Sequence, residues 1–213
     1  MSFFESVYEG ILLTSLWEWI AVFTGIVYVI LAALRNNLCW FFAIASSGIY
    51  VYLCADGKLY IESVLQVFYV VMAIVGWFSW RKQANVDSQE LDASLGLSSS
   101  KNDVKTWPIS YHLYNLAISG GVAFILGFCF DTFTDQANPY ADAFTTVFSL
   151  AATFMVVRKV LENWIYWIVI DLVSIFLYHQ RGYSLSAVLY FIFTILAIAG
   201  FIAWYKRHKT QTA

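Results

Sequence analysis

Charge is scarce in this sequence. Only 12% of its 213 residues are Asp, Glu, Lys or Arg, against roughly 25% in soluble domains. Hydrophobic residues make up 61%, and mean hydropathy is +0.68. A water-soluble core cannot absorb that much apolar surface in a chain this short, so lipid must solvate most of it. Proline is almost absent, with Pro108 and Pro139 alone, and neither interrupts a long apolar run. Three scattered cysteines, Cys39, Cys54 and Cys129, exclude a disulfide framework and a cysteine metal site. The first ten residues, MSFFESVYEG, hold Glu5 and Glu9 but no Lys or Arg, so they lack the basic start of a signal peptide. No Gly-rich phosphate loop occurs, and no extramembrane stretch is large enough for a catalytic domain. The chain is therefore not expected to be an enzyme, and neither a cofactor nor a nucleic-acid partner is expected.

What is present is a series of seven apolar runs, at about 15–34, 37–55, 60–80, 107–130, 139–158, 163–180 and 185–205. Each is near the ~20 residues that a helix needs to cross a bilayer. Both prolines stand at helix starts, where a missing N–H costs nothing. Trp17, Trp19, Trp77, Trp80, Trp107 and Trp204 lie near run ends, where interfacial aromatics belong. The reading is an all-α membrane protein with seven transmembrane helices.

With seven spans, Arg35, Arg81, Lys82, Lys101, Lys105, Arg158, Lys159, Lys206, Arg207 and Lys209 share one side, and only Lys58 and Arg181 lie on the other. Basic loops stay in the cytoplasm, which places the amino terminus outside and the carboxyl terminus inside. The long polar stretch 81–106 balances four bases with four acids and reads as a cytoplasmic, partly flexible linker.

The first and last three spans resemble one another. Asn36 and Trp40 open the second span as Asn163 and Trp167 open the sixth, and Ser47 matches Ser174, all shifted by 127. Gly76 and Trp80 close the third span as Gly200 and Trp204 close the seventh, shifted by 124. One connecting span between two sets of three leaves both sets in the same orientation. The organisation expected is a first repeat at 1–80, the linker at 81–106, a connecting helix at 107–130, and a second repeat with the tail at 131–213. Two parallel three-helix repeats joined by a central helix (3+1+3) form the arrangement of SWEET-type transporters, in which substrate lies near the midplane.

The residues that carry chemistry fall in stripes. Asn163, Trp167, Asp171, Ser174 and Tyr178 occupy one side of a helix. Asp171 sits mid-span, where a carboxylate is costly unless it faces a protein interior or a wet cavity. It could bind ligand hydroxyls, take part in proton coupling, or serve as a structural acid. Glu62, Gln66, Tyr69, Gly76 and Trp80 form a second stripe, and Tyr190, Thr194, Gly200 and Trp204 a third. Gln66 and Tyr69 serve either as interhelical hydrogen-bonding groups or as lining of a path. Gly76 and Gly200 read as close-packing positions, and Trp80 and Trp204 as interfacial anchors. Glu162 and Asn163 could cap the sixth span, Glu18 is near enough to the surface to snorkel, and His112, His179 and His208 are dispersed. The residues expected at a central site are Trp40, Ser47, Gln66, Tyr69, Asn163, Trp167, Asp171, Ser174, Tyr178, Tyr190 and Thr194. Tryptophan and tyrosine walls, amides and one carboxylate suit a flat, hydroxylated and cationic solute.

The run ENWIYWIVIDLVSIFLYHQRGYSLSAVLYFIFTILAIAGFIAWYK resembles the carboxyl-terminal half of PnuC-type vitamin transporters. The resemblance lies in Asn163-Trp164, Trp167, Asp171 and Tyr178, then Leu189-Tyr190 and Gly200 to Trp204. Asn36 to Trp40, Gln66, Tyr69, Gly76-Trp77 and Trp80 resemble the first half of the same family. The resemblance implies a SWEET-like 3+1+3 fold in the bacterial inner membrane and facilitated diffusion of nicotinamide riboside, trapped by a cytosolic kinase that phosphorylates it. Thiamine, riboflavin and a proton-coupled small-solute carrier are the alternatives. The sequence does not set the oligomeric state, and a homo-oligomer stays open. A retinal protein is disfavoured because 185–205 has no lysine for a Schiff base. A membrane enzyme is disfavoured because acids and histidines do not cluster at one interface.

Overall fold

A computed structural model describes residues 3–57, 60–93, 104–134 and 138–212, with only the backbone for 60–62, 83–93 and 211–212. Lys58, residues 94–103 of the linker with Lys101 among them, and the Glu62 side chain lie outside the described residues. Among the described residues eight helices run in order: α1 Phe3–Leu13, α2 Leu16–Ala33, α3 Cys39–Asp56, α4 Tyr60–Ala93, α5 Ile109–Phe133, α6 Pro139–Val157, α7 Asn163–Gln180 and α8 Ser184–Thr212. Six of them, α2 to α6 and α8, are long and apolar enough to cross a membrane. The seventh expected span, α7, is as long as α2 and α3, but Asn163, Asp171, Ser174, His179 and Gln180 lower its hydropathy. Three features depart from expectation. An eleven-residue helix α1 precedes the first span. The third span, expected to end at 80, continues as helix to Ala93, and α8 continues to Thr212.

Local chemistry sets the helix ends. Ser15 caps α2, its hydroxyl accepting from Glu18 N at 3.3 Å while the Glu18 carboxylate accepts from Ser15 N at 2.7 Å. Glu18 therefore closes a capping box instead of snorkelling. The end of α2 is a Schellman turn: Asn36 N donates to Leu31 O and Arg35 N to Ala32 O, with Arg35 at φ +56°. Lys159, at φ +55°, ends α6 the same way with a bond to Val156 O. Gly182, at φ +79°, ends α7, with Tyr183 N donating to Tyr178 O.

A shift of 124 residues recurs at these ends. α3 and α7 have the same length and are shifted by 124 residues. The left-handed residues Arg35 and Lys159 keep that shift, as do Gly76 with Gly200 and Trp80 with Trp204. The 127-residue match at the second and sixth spans does not share this shift. Trp40 pairs with Trp164, Ser47 with Asp171, and Gln66 with Tyr190.

The helices gather into two compact units. One holds Met1–Leu13, Thr106–Met155 and Glu162–Ile198; the other holds Thr14–Lys105, Val156–Leu161 and Ala199–Ala213. In the first, Phe148, Ala152 and Ile170 form an apolar core against Phe144, Tyr166 and Trp167. Gly127 lets α5 approach Tyr140, since a Cβ there would lie 2.6 Å from that ring. Arg181 at the end of α7 donates to Asp142 in the first turn of α6, and this bond holds the guanidinium above its usual range. The pair is partly exposed, so Asp142→Asn is expected to lower stability by only about 0.2–1 kcal/mol. A loss well beyond that, by thermal unfolding in detergent, would show that the pair is shielded from water.

In the second unit, α3 packs against both α2 and α4. Trp80 and Trp204, read as interfacial anchors, are instead buried. Trp80 Nε1 donates to Val157 O at 3.1 Å, and Trp204 Nε1 donates to Ala32 O and Ala33 O at 3.2 and 3.1 Å. Ala33 and Val157 are themselves related by the 124-residue shift, so the donors and the acceptors of the two bonds keep the same spacing. Each indole satisfies carbonyls that the last turn of a helix leaves open. Lys159 lies with its ammonium 5.1 Å from the centre of the Trp80 ring. Lys105 pairs with the 159–161 turn through Lys105 N to Lys159 O and Leu161 N to Lys105 O.

Candidate functional site

The stripe on α7 faces inward. Asn163, Asp171 and Ser174 are buried, while Ile165, Val169, Leu172 and Phe176 on the other side are exposed. Trp164 is buried as well, so it is not a lipid-belt residue. Ile168, which periodicity places on the lipid side, is half-buried.

Asp171 is 3% exposed. Among the described residues its carboxylate has no hydrogen-bond or ion-pair partner. Helical periodicity places it on the inner face, and tertiary packing buries it there. Trp167, one turn away, packs against the Phe148, Ala152 and Ile170 core, so it supports the fold as well as the polar face. Tyr178 and Tyr190 stack with ring centres 5.1 Å apart and planes 19° apart, which joins the α7 stripe to the α8 stripe. Thr194 donates to its own helix at Tyr190 O, 2.9 Å, and keeps only its acceptor capacity for other groups.

Of the eleven expected site residues, Asn163, Trp167, Asp171, Ser174, Tyr178, Tyr190 and Thr194 belong to the first unit. Trp40, Ser47, Gln66 and Tyr69 belong to the second. There Trp40 is buried, with its ring centre 5.1 Å from that of Trp80 and 6.1 Å from that of Tyr28. Its Nε1 has no hydrogen-bond partner among the described residues. Ser47 is buried, and Gln66 and Tyr69 are half-buried. A groove of about 510 Å³ in this unit is lined by Trp17, Ile44, Ala45, Gly48, Ile49 and Tyr52. It contains no expected site residue and has the apolar character of a lipid-facing surface.

A cluster that the sequence left dispersed lies at the start of α5. His112 Nδ1 is 3.3 Å from the Tyr166 hydroxyl, and its Nε2 is 3.9 Å from Glu162 Oε2. The same Glu162 oxygen accepts from Trp107 N at 3.3 Å, and the Glu162 side chain makes no cap bond to α7. Glu162 thus anchors the entry to α5 instead of capping the sixth span. Nothing in local spacing signals this, because more than fifty residues separate the partners.

Comparison with known proteins agrees with this architecture. The nicotinamide riboside transporter PnuC of Escherichia coli (strain K12) is 24% identical over 200 residues, covering 88% of this chain and 84% of that protein. The riboflavin/roseoflavin transporter RibM of Streptomyces davaonensis is 24% identical over 167 residues, covering 78% and 74%. A crystal structure of the vitamin B3 transporter PnuC superposes with a TM-score of 0.71 at 21% identity, covering 98% of this chain and 91% of that one. The family model described as nicotinamide mononucleotide transporter matches residues 15–206. With that match spanning nearly the whole sequence, this multi-pass membrane protein is a transporter and not an enzyme, and it belongs to the nicotinamide mononucleotide transporter family.

Proposed function

We propose that the chain carries nicotinamide riboside across the bacterial inner membrane by facilitated diffusion. The observation that carries the reading is Asp171, a buried carboxylate without a hydrogen-bond or ion-pair partner among the described residues, on a face of tryptophan, tyrosine and amide groups. The riboside has a flat cationic ring for aromatic walls and ribose hydroxyls for an anionic acceptor. A mononucleotide would add a phosphate of about −1.5 to −2 charges. The face from Asn163 to Tyr178 holds no base to receive it, so the riboside is favoured over the nucleotide despite the family's description. The riboside transporters among the relatives support this choice. Thiamine shares the cation and the flat ring; riboflavin, carried by one relative, is larger and uncharged.

In this reading the seven helices α2 to α8 form two parallel three-helix repeats joined by α5, as in SWEET-type transporters, and the 124-residue register supports it. The amino terminus lies outside and the carboxyl terminus in the cytoplasm. Support comes from the second unit, where Arg35, Arg81, Lys105 and Lys159 gather near the bonds of Trp80 and Trp204. Gln66, Tyr69, Trp40 and Ser47 contribute from the first repeat, and Asn163, Trp167, Asp171, Ser174, Tyr178, Tyr190 and Thr194 from the second. A cytosolic kinase traps the product.

Two measurements test the proposal. Tryptophan quenching of purified protein, titrated in parallel with nicotinamide riboside, its mononucleotide, thiamine and riboflavin, is expected to rank the riboside first. Tighter binding of the mononucleotide or riboflavin overturns the substrate assignment. In protein-only liposomes, riboside counterflow is expected to persist without ATP, sodium gradient or proton gradient. Accumulation above the outside concentration, driven by one of those gradients, overturns uniport.

A further inference from the structure

Helix α1 is too short to cross a membrane. Eleven residues span about 16 Å, half of the roughly 30 Å hydrocarbon core. None of its residues is buried, yet it is docked. The Phe3 ring centre is 6.1 Å from that of His179 in the last turn of α7. Gly10 meets the first turn of α8, where a Cβ would lie 3.0 Å from Leu185 Cβ. The tight turn at Arg181 to Tyr183 joins those two places, so they lie at one depth at one end of the helix pair. A helix that touches one with residue 3 and the other with residue 10 runs across the spans, not along them.

The rest of its surface then sorts itself. Phe4, Tyr8, Ile11 and Leu12 fall at i, i+4, i+7 and i+8, and all are exposed. Glu5 and Glu9 form an acidic strip beyond them, on the side away from Val7 and Ile11. One face packs on the α7–α8 turn, one is apolar and bare, and one is acidic. The next helix, α2, begins two residues after α1 with Trp17 and Trp19 exposed, the residues of a membrane interface.

We propose that α1 lies in the plane of the bilayer interface, with Phe4, Tyr8, Ile11 and Leu12 among the lipids and Glu5 and Glu9 in water. The partner is the lipid surface itself. Three separate faces on so short a helix match an in-plane interfacial segment, and the bilayer that solvates the spans already extends to this level. The proposal depends on the chain spanning a membrane and not on which solute it carries.

The test uses the full-length protein in liposomes of phosphatidylcholine with a quarter phosphatidylglycerol. An environment-sensitive fluorescent amino acid is placed by nonsense suppression at position 4, 8, 12, 5 or 9, one at a time. Probes at 4, 8 and 12 are expected to emit to the blue of those at 5 and 9. Lipids carrying a nitroxide near the headgroup should quench them at least twofold more than lipids with a deep nitroxide, and iodide should spare them. Probes at 5 and 9 are expected to be quenched by iodide. Iodide quenching at 4, 8 and 12 equal to that at 9 overturns the proposal. Protection of 4, 8 and 12 from both quenchers also overturns it, because that face would then be covered by protein, such as a second copy of the chain. Stronger quenching by the deep nitroxide would mean that α1 enters the hydrocarbon core and does not lie in the interface.

Discussion

Asp171→Asn is expected to weaken riboside binding by about one to two decades. The change is nearly isosteric, so packing around a 3%-exposed side chain is kept while the charge is removed. A charge-assisted hydrogen bond is worth roughly 1.5–3 kcal/mol, and ~1.4 kcal/mol is a factor of ten in affinity. In the proposed site the carboxylate offers ligand hydroxyls two acceptor oxygens; asparagine keeps one acceptor and presents an amide where the other was. Trp167→Ala is a less selective probe, since Trp167 also packs on the Phe148, Ala152 and Ile170 core. Its removal should lower stability and affinity together. The lipid-side control is Leu172→Ala, because Leu172 is 53% exposed whereas Ile168 is half-buried. Titration by tryptophan quenching, with thermal unfolding as the folding check, reads the outcome. If Asp171→Asn unfolds at the wild-type temperature and binds riboside with wild-type affinity, the carboxylate is structural and the α7 site assignment fails.

How far the sequence reached depended on whether a signal was local. Long apolar runs bounded by proline, glycine and charge mark α2 to α8 to within a few residues at most of their ends. Pro139 is the first residue of α6, and Pro108 is the N-cap of α5. The inward face of α7 was legible because periodicity is a local property. Other features were not. Tryptophan at the end of a span reads as a belt residue, and only the fold reveals that Trp80 and Trp204 turn inward to distant carbonyls. The 127-residue match rests on the likeness of Asn36 and Asn163, although Asn36 precedes the cap of α3 and Asn163 begins α7, and the ends of these two helices keep a shift of 124. The α1 helix was missed because eleven residues with two acids are too few and too polar for a span. The Ser15-to-Glu18 spacing was the one local signal available, and it marks the start of α2.

Gly76→Ala is expected to be among the most damaging small substitutions in the chain. An added Cβ at Gly76 would lie 2.5–2.6 Å from three atoms of the Trp40 indole, closer than carbon atoms tolerate. Trp40 has little room to yield. It is 1% exposed, and its ring meets Trp80 nearly at right angles at 5.1 Å and Tyr28 at 6.1 Å. Displacing it pushes on Trp80, whose Nε1 holds Val157 O and whose ring receives Lys159. Overpacking of this kind costs typically ~1–3 kcal/mol, and a buried carbonyl left without its donor adds about 1–3 kcal/mol. Gly48 and Gly121 provide the contrast. A Cβ at either meets nothing within 4 Å, and both are helical, so Gly48→Ala and Gly121→Ala should stabilise by up to about 1 kcal/mol through helix propensity. Thermal unfolding of the three variants in one detergent decides the matter. A Gly76→Ala protein that unfolds at or above the temperature of Gly48→Ala would mean that the Trp40 and Trp80 pair repacks freely. The tight contact seen here would then not limit stability.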